Sequence, residues 1–192
     1  MDNERPRGPA RLQLVLIALI FALPLVAALW MYYGDSAPRP AGRTNHGLLL
    51  APPASLADEL GASPLTAAIR DHWAMIYVQR DACDETCRDA LYKLRQTRLM
   101  LGNDMQRVRR VLLHGPEAPD TLFLETEHAG LIALDEPAAR QLFADLLPGA
   151  ATPGGIWLVD PLGNVVMYFP ADILPRDLVE DVEHLLDLSR IG

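Results

Sequence analysis

The longest apolar run of the chain lies near its N-terminus, where residues 12–33 contain no charged side chain. A helix of that length, at about 1.5 Å per residue, can cross the ~30 Å hydrocarbon core of a membrane. Arg5, Arg7 and Arg11 precede the run and Asp35 follows it. By the positive-inside rule, we expect the N-terminus in the cytoplasm and the rest of the chain on the outer side. The run exceeds the ~7 to 15 apolar residues usual for a signal peptide, which favours an uncleaved anchor over a cleaved leader.

Beyond this run, short apolar blocks alternate with amphipathic segments. Residues 73–78 and 109–114 predict two strands, and the apolar positions from Cys87 to Leu101 repeat at helical spacing between them. A strand, helix and strand in this order imply a right-handed crossover and parallel pairing of the strands. The further segments with helical or strand patterns are helices over 119–128, 136–147 and 172–189 and a short strand over 131–134.

A hairpin is predicted near the C-terminus, where strands over 155–160 and 165–169 flank a turn built from Pro, Gly and Asn. Before the first buried strand, residues 45–53 are expected to be extended and to lie at the edge of the sheet, with short helical turns over 56–60 and 65–72.

These patterns divide the chain into four segments. We predict a cytoplasmic N-terminus over 1–11, a membrane helix over 12–33, a linker over 34–45 and one α/β domain over 46–192. A single domain is expected because the last segment has the usual size of about 100 to 150 residues.

The net charge of the chain beyond the apolar run limits the kinds of partner it can bind. Beyond residue 34 the chain has 14 Lys and Arg against 23 Asp and Glu, a net charge of −9. Such an acidic domain is not expected to bind nucleic acid. The acidic surface could attract metal cations or a basic partner, although solubility alone also explains it.

The only two cysteines, Cys83 and Cys87, lie where the first buried strand passes into the following helix. Residues four apart share one face of a helix, so the two sulfurs can form a disulfide or hold one metal ion. The partial positive charge of a helix N-terminus favours the thiolate, the reactive form, whereas Asp81, Asp84 and Glu85 oppose it. The alternative is a purely structural disulfide.

The order of elements, the Cys-x-x-x-Cys pair and the Trp-Leu-Val-Asp-Pro-x-Gly sequence at 157–163 together resemble the Sco/SenC group. These are thioredoxin-like proteins that assist the assembly of cytochrome c oxidase. The chain is especially similar to divergent transmembrane relatives of that group. The resemblance implies a thioredoxin-like α/β fold for the whole outward domain.

The resemblance also implies roles for particular residues. Cys83 and Cys87 match the family's copper-binding cysteines, but Thr152 stands where the family has its third ligand, a histidine. Thr152–Pro153 is similar instead to the Thr-Pro of thioredoxin-like reductases, whose proline is cis. We expect each of the five histidines to be solvated or to have a capping role. His114, at the end of a strand, is the best placed of the five to replace the missing ligand.

The function implied is that of a single-pass protein of a bacterial inner membrane, with its domain in the periplasm, which assists cytochrome c oxidase assembly. The expected partner is the oxidase's copper-binding subunit II or its assembly factors. Two chemistries remain open: a thiol reductant in which Cys83 attacks and Cys87 resolves, or a carrier of Cu(I) on the two thiolates. The alternative is a non-catalytic docking module in which the same two cysteines form a structural disulfide.

Overall fold

The structure is a computed structural model that describes residues 8–33, 45–79, 82–149 and 151–189. The chain separates into two compact units, residues 1–44 and 45–192. Residues 34–44 of the predicted linker, and Asp81, lie outside the described residues.

The first unit contains one long helix, α1 (Gly8–Tyr33), with Pro24 inside it. From Leu12 to Met31 it is long and apolar enough to cross a membrane, and every side chain in that stretch is exposed. Because an exposed apolar surface of this size is unfavourable in water, α1 is a candidate membrane span.

The second unit contains every strand and helix that the sequence predicts there. Its elements in chain order are β1 (Leu48–Ser55), α2 (Leu56–Leu60), α3 (Pro64–Ile69), β2 (Trp73–Val78), α4 (Glu85–Met100), β3 (Val108–Leu113), α5 (Thr121–Glu127), β4 (Ile132–Leu134), α6 (Pro137–Asp145), β5 (Ile156–Val159), β6 (Asn164–Phe169) and α7 (Pro175–Leu188).

Helix ends differ from the predicted ones by a few residues, and local sequence explains two of the differences. Helix α5 begins at Thr121 rather than at 119 because the Asp120 side chain accepts hydrogen bonds from the next turn. Helix α7 begins at Pro175 rather than at 172 because a proline disfavours the helical conformation in the residue before it, and Leu174 is extended.

The six strands form one sheet in the order β1-β6-β5-β2-β3-β4. Strands β2 and β3 are parallel, as the crossover rule predicts. Strand β4 is parallel to β3, and β5 runs antiparallel to β2. Strands β5 and β6 form the predicted antiparallel hairpin, and β1 pairs with β6 at the edge of the sheet.

Helices cover both faces of the sheet. Helices α4 and α7 pack on one face through side chains such as Leu91 and Leu178, and helices α3 and α6 pack on the other through Leu65 and Phe143. Each fully buried side chain of this size contributes roughly 1.5–3 kcal/mol relative to its exposed state. The central strand β2 is therefore packed on both faces, and the cysteine pair follows its C-terminal end.

Candidate functional site

Cys83 and Cys87 lie at the start of α4, immediately after β2, as predicted. The carboxylate of Asp84 caps the helix by accepting a hydrogen bond from the backbone N–H of Cys87 at 3.0 Å. This cap favours starting the helix at Glu85, which places Cys83 just before it and Cys87 in its first turn.

The two cysteines are joined by a disulfide, with their Cα atoms 5.1 Å apart. Their exposures differ: Cys87 is 1% exposed and belongs to the core under α4, whereas Cys83 is half-buried. A sulfur of another molecule therefore reaches Cys83 more readily than Cys87.

Charged and polar groups at the helix start bear on the chemistry of this pair. Asp84 and Glu85 are exposed, and Arg88 lies with its guanidinium carbon 5.2 Å from the ring centroid of Phe123. Burial and the nearby Asp84 raise the pKa of Tyr77 to about 12, so this phenol stays protonated at neutral pH. The phenol of Tyr77 is thus unsuited to act as a base.

The loop that precedes β5 approaches the same helix start. A Cβ atom added to Gly154 would lie 3.7 Å from Cγ2 of Thr86, which is ordinary contact distance. Gly154 has φ of +100°, a conformation that favours glycine. Thr152 and Pro153 of this loop are exposed.

Tyr168 of β6 holds the loop in place. Its hydroxyl donates to the carbonyl oxygen of Thr152 and accepts from the backbone N–H of Gly155 at 3.0 Å. Burial raises the pKa of Tyr168, which keeps the hydroxyl in the protonated form that can donate. A Cβ atom at Gly155 would lie 2.0 Å from the carbonyl oxygen of Phe169, so only glycine fits without a shift.

The roles of Tyr168 and Gly155 were not evident from the sequence. The signal available was indirect, because Tyr168 pairs with Trp157 across the hairpin. A correct hairpin register would have placed Tyr168 beside the start of β5. It would not have shown that the hydroxyl forms hydrogen bonds with the loop.

The Thr152–Pro153 bond is not cis; the cis X-Pro bond among the described residues is Ala51–Pro52. The similarity of this dipeptide to the Thr-Pro of reductases therefore does not extend to its peptide geometry.

A third copper ligand is not assembled around the cysteines. Within the described ranges, no three His, Cys, Asp or Glu side chains come close enough to share a metal ion. His114 instead lies with Nδ1 2.7 Å from the carbonyl oxygen of Gly115. The donor set that the described residues offer a metal at this site is thus the two sulfurs, and these are free only when the disulfide is reduced.

One histidine departs from the solvated or capping roles expected for all five: His128 is buried behind α5, with its ring against Phe123. His46 is exposed, and its Nδ1 lies 3.0 Å from Oδ1 of the buried Asp181, a contact that attaches the segment before β1 to α7.

A cavity of about 500 Å³ lies on the α6 side of the sheet, where Pro153 to Gly155 form part of its wall. Arg140, Phe143 and Trp157 line it as well. The loop before β5 thus passes near Thr86 at the start of α4 and also forms part of this cavity's wall.

Two family models match the chain. Residues 73–189 match the model of the family described as transmembrane-like, thioredoxin-like, C-terminal domain, which is more than half of the chain. The chain belongs to this transmembrane-like, thioredoxin-like family. Residues 2–35 match the transmembrane-like N-terminal domain, in agreement with the candidate membrane span in α1. No curated protein matches the sequence.

Solved structures with a similar fold include Sco proteins. Apo Sco1 from Thermus thermophilus aligns with a TM-score of 0.54 at 17% identity, over 76% of this chain and 99% of its own. Yeast Sco1 aligns with a TM-score of 0.51 at 15% identity, over 64% of this chain and 88% of its own. Copper-bound ScoI from Arabidopsis thaliana aligns with a TM-score of 0.50 at 16% identity, over 64% of this chain and 89% of its own. At these identities the likeness confirms the thioredoxin-like fold alone.

Proposed function

We propose that this chain is a membrane-anchored thiol-disulfide factor that assists the assembly of cytochrome c oxidase through Cys83 and Cys87. The observation that carries the proposal is the disulfide at the capped start of α4, with one sulfur half-buried and the other in the core. The expected partner is the oxidase's copper-binding subunit II, whose cysteines must be reduced before they take copper, or one of its assembly factors.

The reductant chemistry uses the two cysteines in turn. In the reduced protein, the thiolate of Cys83 attacks a disulfide of the partner, forms a mixed disulfide and releases one partner thiolate. The thiolate of Cys87 then attacks the sulfur of Cys83 and releases the second partner thiolate. Two electrons pass to the partner, each released thiolate takes a proton from water, and the Cys83–Cys87 disulfide of the structure is the oxidised product.

A copper-carrying role uses the same two sulfurs. Two thiolates suffice for Cu(I), a soft ion, with a further ligand from solvent or from the partner. The observation in its favour is the closeness of the cysteines, 5.1 Å between Cα atoms. The disulfide form has no thiolate to offer, so copper uptake would also require prior reduction.

We further propose that the chain lies in a bacterial inner membrane with α1 as its single span, the N-terminus in the cytoplasm and the thioredoxin-like domain in the periplasm. The support is the arginine-rich start of the chain, Asp35 beyond the apolar stretch and the candidate span in α1. This places the cysteines on the side of the membrane where disulfides persist.

The first test is a comparison of copper binding with disulfide exchange on the full chain in dodecyl maltoside. The reduced protein is titrated anaerobically with Cu(I) against a competing chelator and, separately, mixed with oxidised subunit II domain. A Cys87→Ser variant should trap a mixed disulfide through Cys83, and a Cys83→Ser variant should trap much less.

The outcomes separate the three roles. Rapid reduction of subunit II without tight Cu(I) binding supports the reductant. Tight one-to-one Cu(I) binding that a Cys83→Ser/Cys87→Ser variant loses supports the carrier. A disulfide that resists mild reductant, together with normal oxidase assembly by the double variant, would refute both and leave the docking module.

A further inference from the structure

The cavity on the α6 side of the sheet has a lining that suits a small amphipathic molecule. Its volume of about 500 Å³ falls in the range of roughly 300–1,000 Å³ that is usual for small-molecule sites. Apolar side chains lie in its wall, among them Leu147, Pro153 and Trp157. Three polar side chains line it as well: Gln79, Arg140 and Gln141. The cavity therefore offers apolar surface together with a few hydrogen-bonding groups.

The charge of this lining is opposite in sign to that of the domain. Beyond residue 34 the chain has a net charge of −9, yet no Asp or Glu of the described residues lines the cavity. Arg140 of α6 is the one charged side chain among the described residues that line it. A negatively charged group is therefore attracted into the cavity, whereas a positively charged group is repelled.

Arg140 retains hydrogen-bonding capacity for a ligand. Its Nη2 lies 3.3 Å from Oδ1 of Asp135, and the described residues provide its side chain with no other hydrogen-bond partner. A guanidinium has several N–H donors in a planar fork that matches a carboxylate. Asp135 does not line the cavity, and its side chain is 47% exposed, so water weakens this ion pair. A carboxylate in the cavity can therefore bind Arg140 without displacing a buried partner.

The wall of the cavity is held in place by contacts within the domain. Tyr168, which lines the cavity, donates to the carbonyl oxygen of Thr152 and accepts from the backbone N–H of Gly155 at 3.0 Å. Helix α6, which carries Arg140, packs on the sheet through its buried Phe143. A preformed site loses little conformational freedom when a ligand binds, which favours affinity.

We propose that this cavity binds a small monocarboxylate with an apolar body, of the arylalkanoic acid type. The carboxylate accepts hydrogen bonds from the guanidinium of Arg140. The apolar body lies against the apolar part of the wall, where Leu147 and Pro153 are found, and its removal from water adds to the affinity.

The proposed site is distinct from the cysteine pair. Neither Cys83 nor Cys87 lines the cavity, and the cavity lies on the α6 side of the sheet, whereas α4 packs on the other face. Ligand binding here does not depend on the proposed thiol chemistry. A Cys83→Ser/Cys87→Ser variant should therefore bind the acid as the unaltered chain does.

The test uses 3-phenylpropionate as the probe, titrated into the full chain in dodecyl maltoside, with calorimetry as the measurement and micelles alone as the blank. Two further compounds separate the parts of the ligand: 3-phenylpropionamide keeps the shape without the charge, and acetate keeps the charge without the apolar body. We expect saturable binding of the acid, binding of the amide weaker by about tenfold, and no measurable binding of acetate.

Four single substitutions locate the site. Arg140→Gln should weaken binding of the acid about tenfold and leave binding of the amide unchanged, on the scale of one charge-assisted hydrogen bond. Asp135→Asn removes the competing carboxylate and should strengthen binding about threefold, on the scale of one exposed ion pair. Ala144→Phe fills the cavity from an exposed position of α6 and should abolish binding of both compounds. Arg176→Gln, which removes an exposed charge and its contact with Asp177 on α7, is the matched control and should bind as the unaltered chain does.

Arg140 is partly exposed and Ala144 is exposed, so both substitutions should leave the fold intact, which melting temperatures check. The proposal is overturned if the acid does not bind, or if the amide or acetate binds as tightly as the acid. Binding that survives Ala144→Phe would place the ligand elsewhere and overturn the site. The proposal also fails if Arg140→Gln and Arg176→Gln weaken binding to the same extent, because the effect would then reflect net charge alone.

Discussion

Replacing Tyr168 with phenylalanine tests whether its hydroxyl stabilises the loop before β5. The substitution removes one donor and one acceptor and leaves the ring, which is fully buried against Trp157, in place. It abolishes the bond to the Thr152 carbonyl and leaves the buried N–H of Gly155 without its partner.

The expected cost follows from those two losses. A typical hydrogen bond contributes about 0.5–1.5 kcal/mol net, and an orphaned buried donor costs about 1–3 kcal/mol. Tyr168→Phe should therefore lower the free energy of unfolding of the domain by about 2–3 kcal/mol. For a domain of this size that corresponds to a fall in melting temperature of roughly 2–4 °C per kcal/mol.

Chemical and thermal unfolding of the full chain in detergent measure this loss, and Tyr77→Phe is the matched control. Tyr77 is also a buried tyrosine of the same sheet, and no hydrogen bond of its hydroxyl to the described residues is seen. Its substitution should cost less than about 0.5 kcal/mol, as hydroxyl loss without a bonded partner usually does. Equal effects of the two substitutions would refute the role given to Tyr168.

Three further predictions concern other parts of the domain. Gly155→Ala should destabilise it by about 1–3 kcal/mol through steric overlap, while Gly149→Ala, in open space, should be neutral in the same unfolding assay. Asp84→Asn keeps a capping side chain, so little stability should be lost, but it removes a negative charge that disfavours the thiolate. The reduced thiols should therefore react faster with iodoacetamide at neutral pH. An unchanged rate would show that the charge of Asp84 does not affect the thiols. The hydrogen bond to Asp181 raises the pKa of His46 above its ordinary 6.5. The contribution of this pair to the stability of the domain is therefore complete below pH 6.5 and is lost as the pH rises through the higher folded-state pKa. Melting temperatures between about pH 5.5 and 8.5 should show this decline, and His46→Asn should abolish it.

The strand β2 and the helix α4 could be predicted because their signals are local. An uninterrupted apolar run fits a strand buried on both faces, and the repeat from Cys87 onward fits a helix with one buried face. The cap at Asp84 and the parallel pairing of β2 with β3 follow from equally local rules. The start of α4, and with it the position of the cysteines, was therefore accessible from the sequence.

The interactions that the sequence did not reveal join residues far apart along the chain. The bond from Tyr168 to Thr152 depends on how the hairpin sits against the loop before it. In β3 the sequence shows two adjacent arginines, and only the strand register decides that Arg110 faces inward while Arg109 lies on the opposite face. His128 is buried for a similar reason, because the turn after α5 folds back over Arg110.

The periodicity that builds the core also decides which of the two cysteines is buried. Cys87 stands four residues before Leu91 and seven before Leu94, so it lies on the stripe of α4 that packs into the core. Cys83 precedes the helix and therefore lies outside that stripe. It is half-buried, whereas Cys87 is 1% exposed. The rate of disulfide exchange depends on access to the sulfur that is attacked, and Cys83 is the more accessible of the two. The direction of the proposed reaction, attack by Cys83 and resolution by Cys87, is thus a consequence of helix packing. The same asymmetry would leave Cu(I), if carried, accessible to a partner from the side of Cys83.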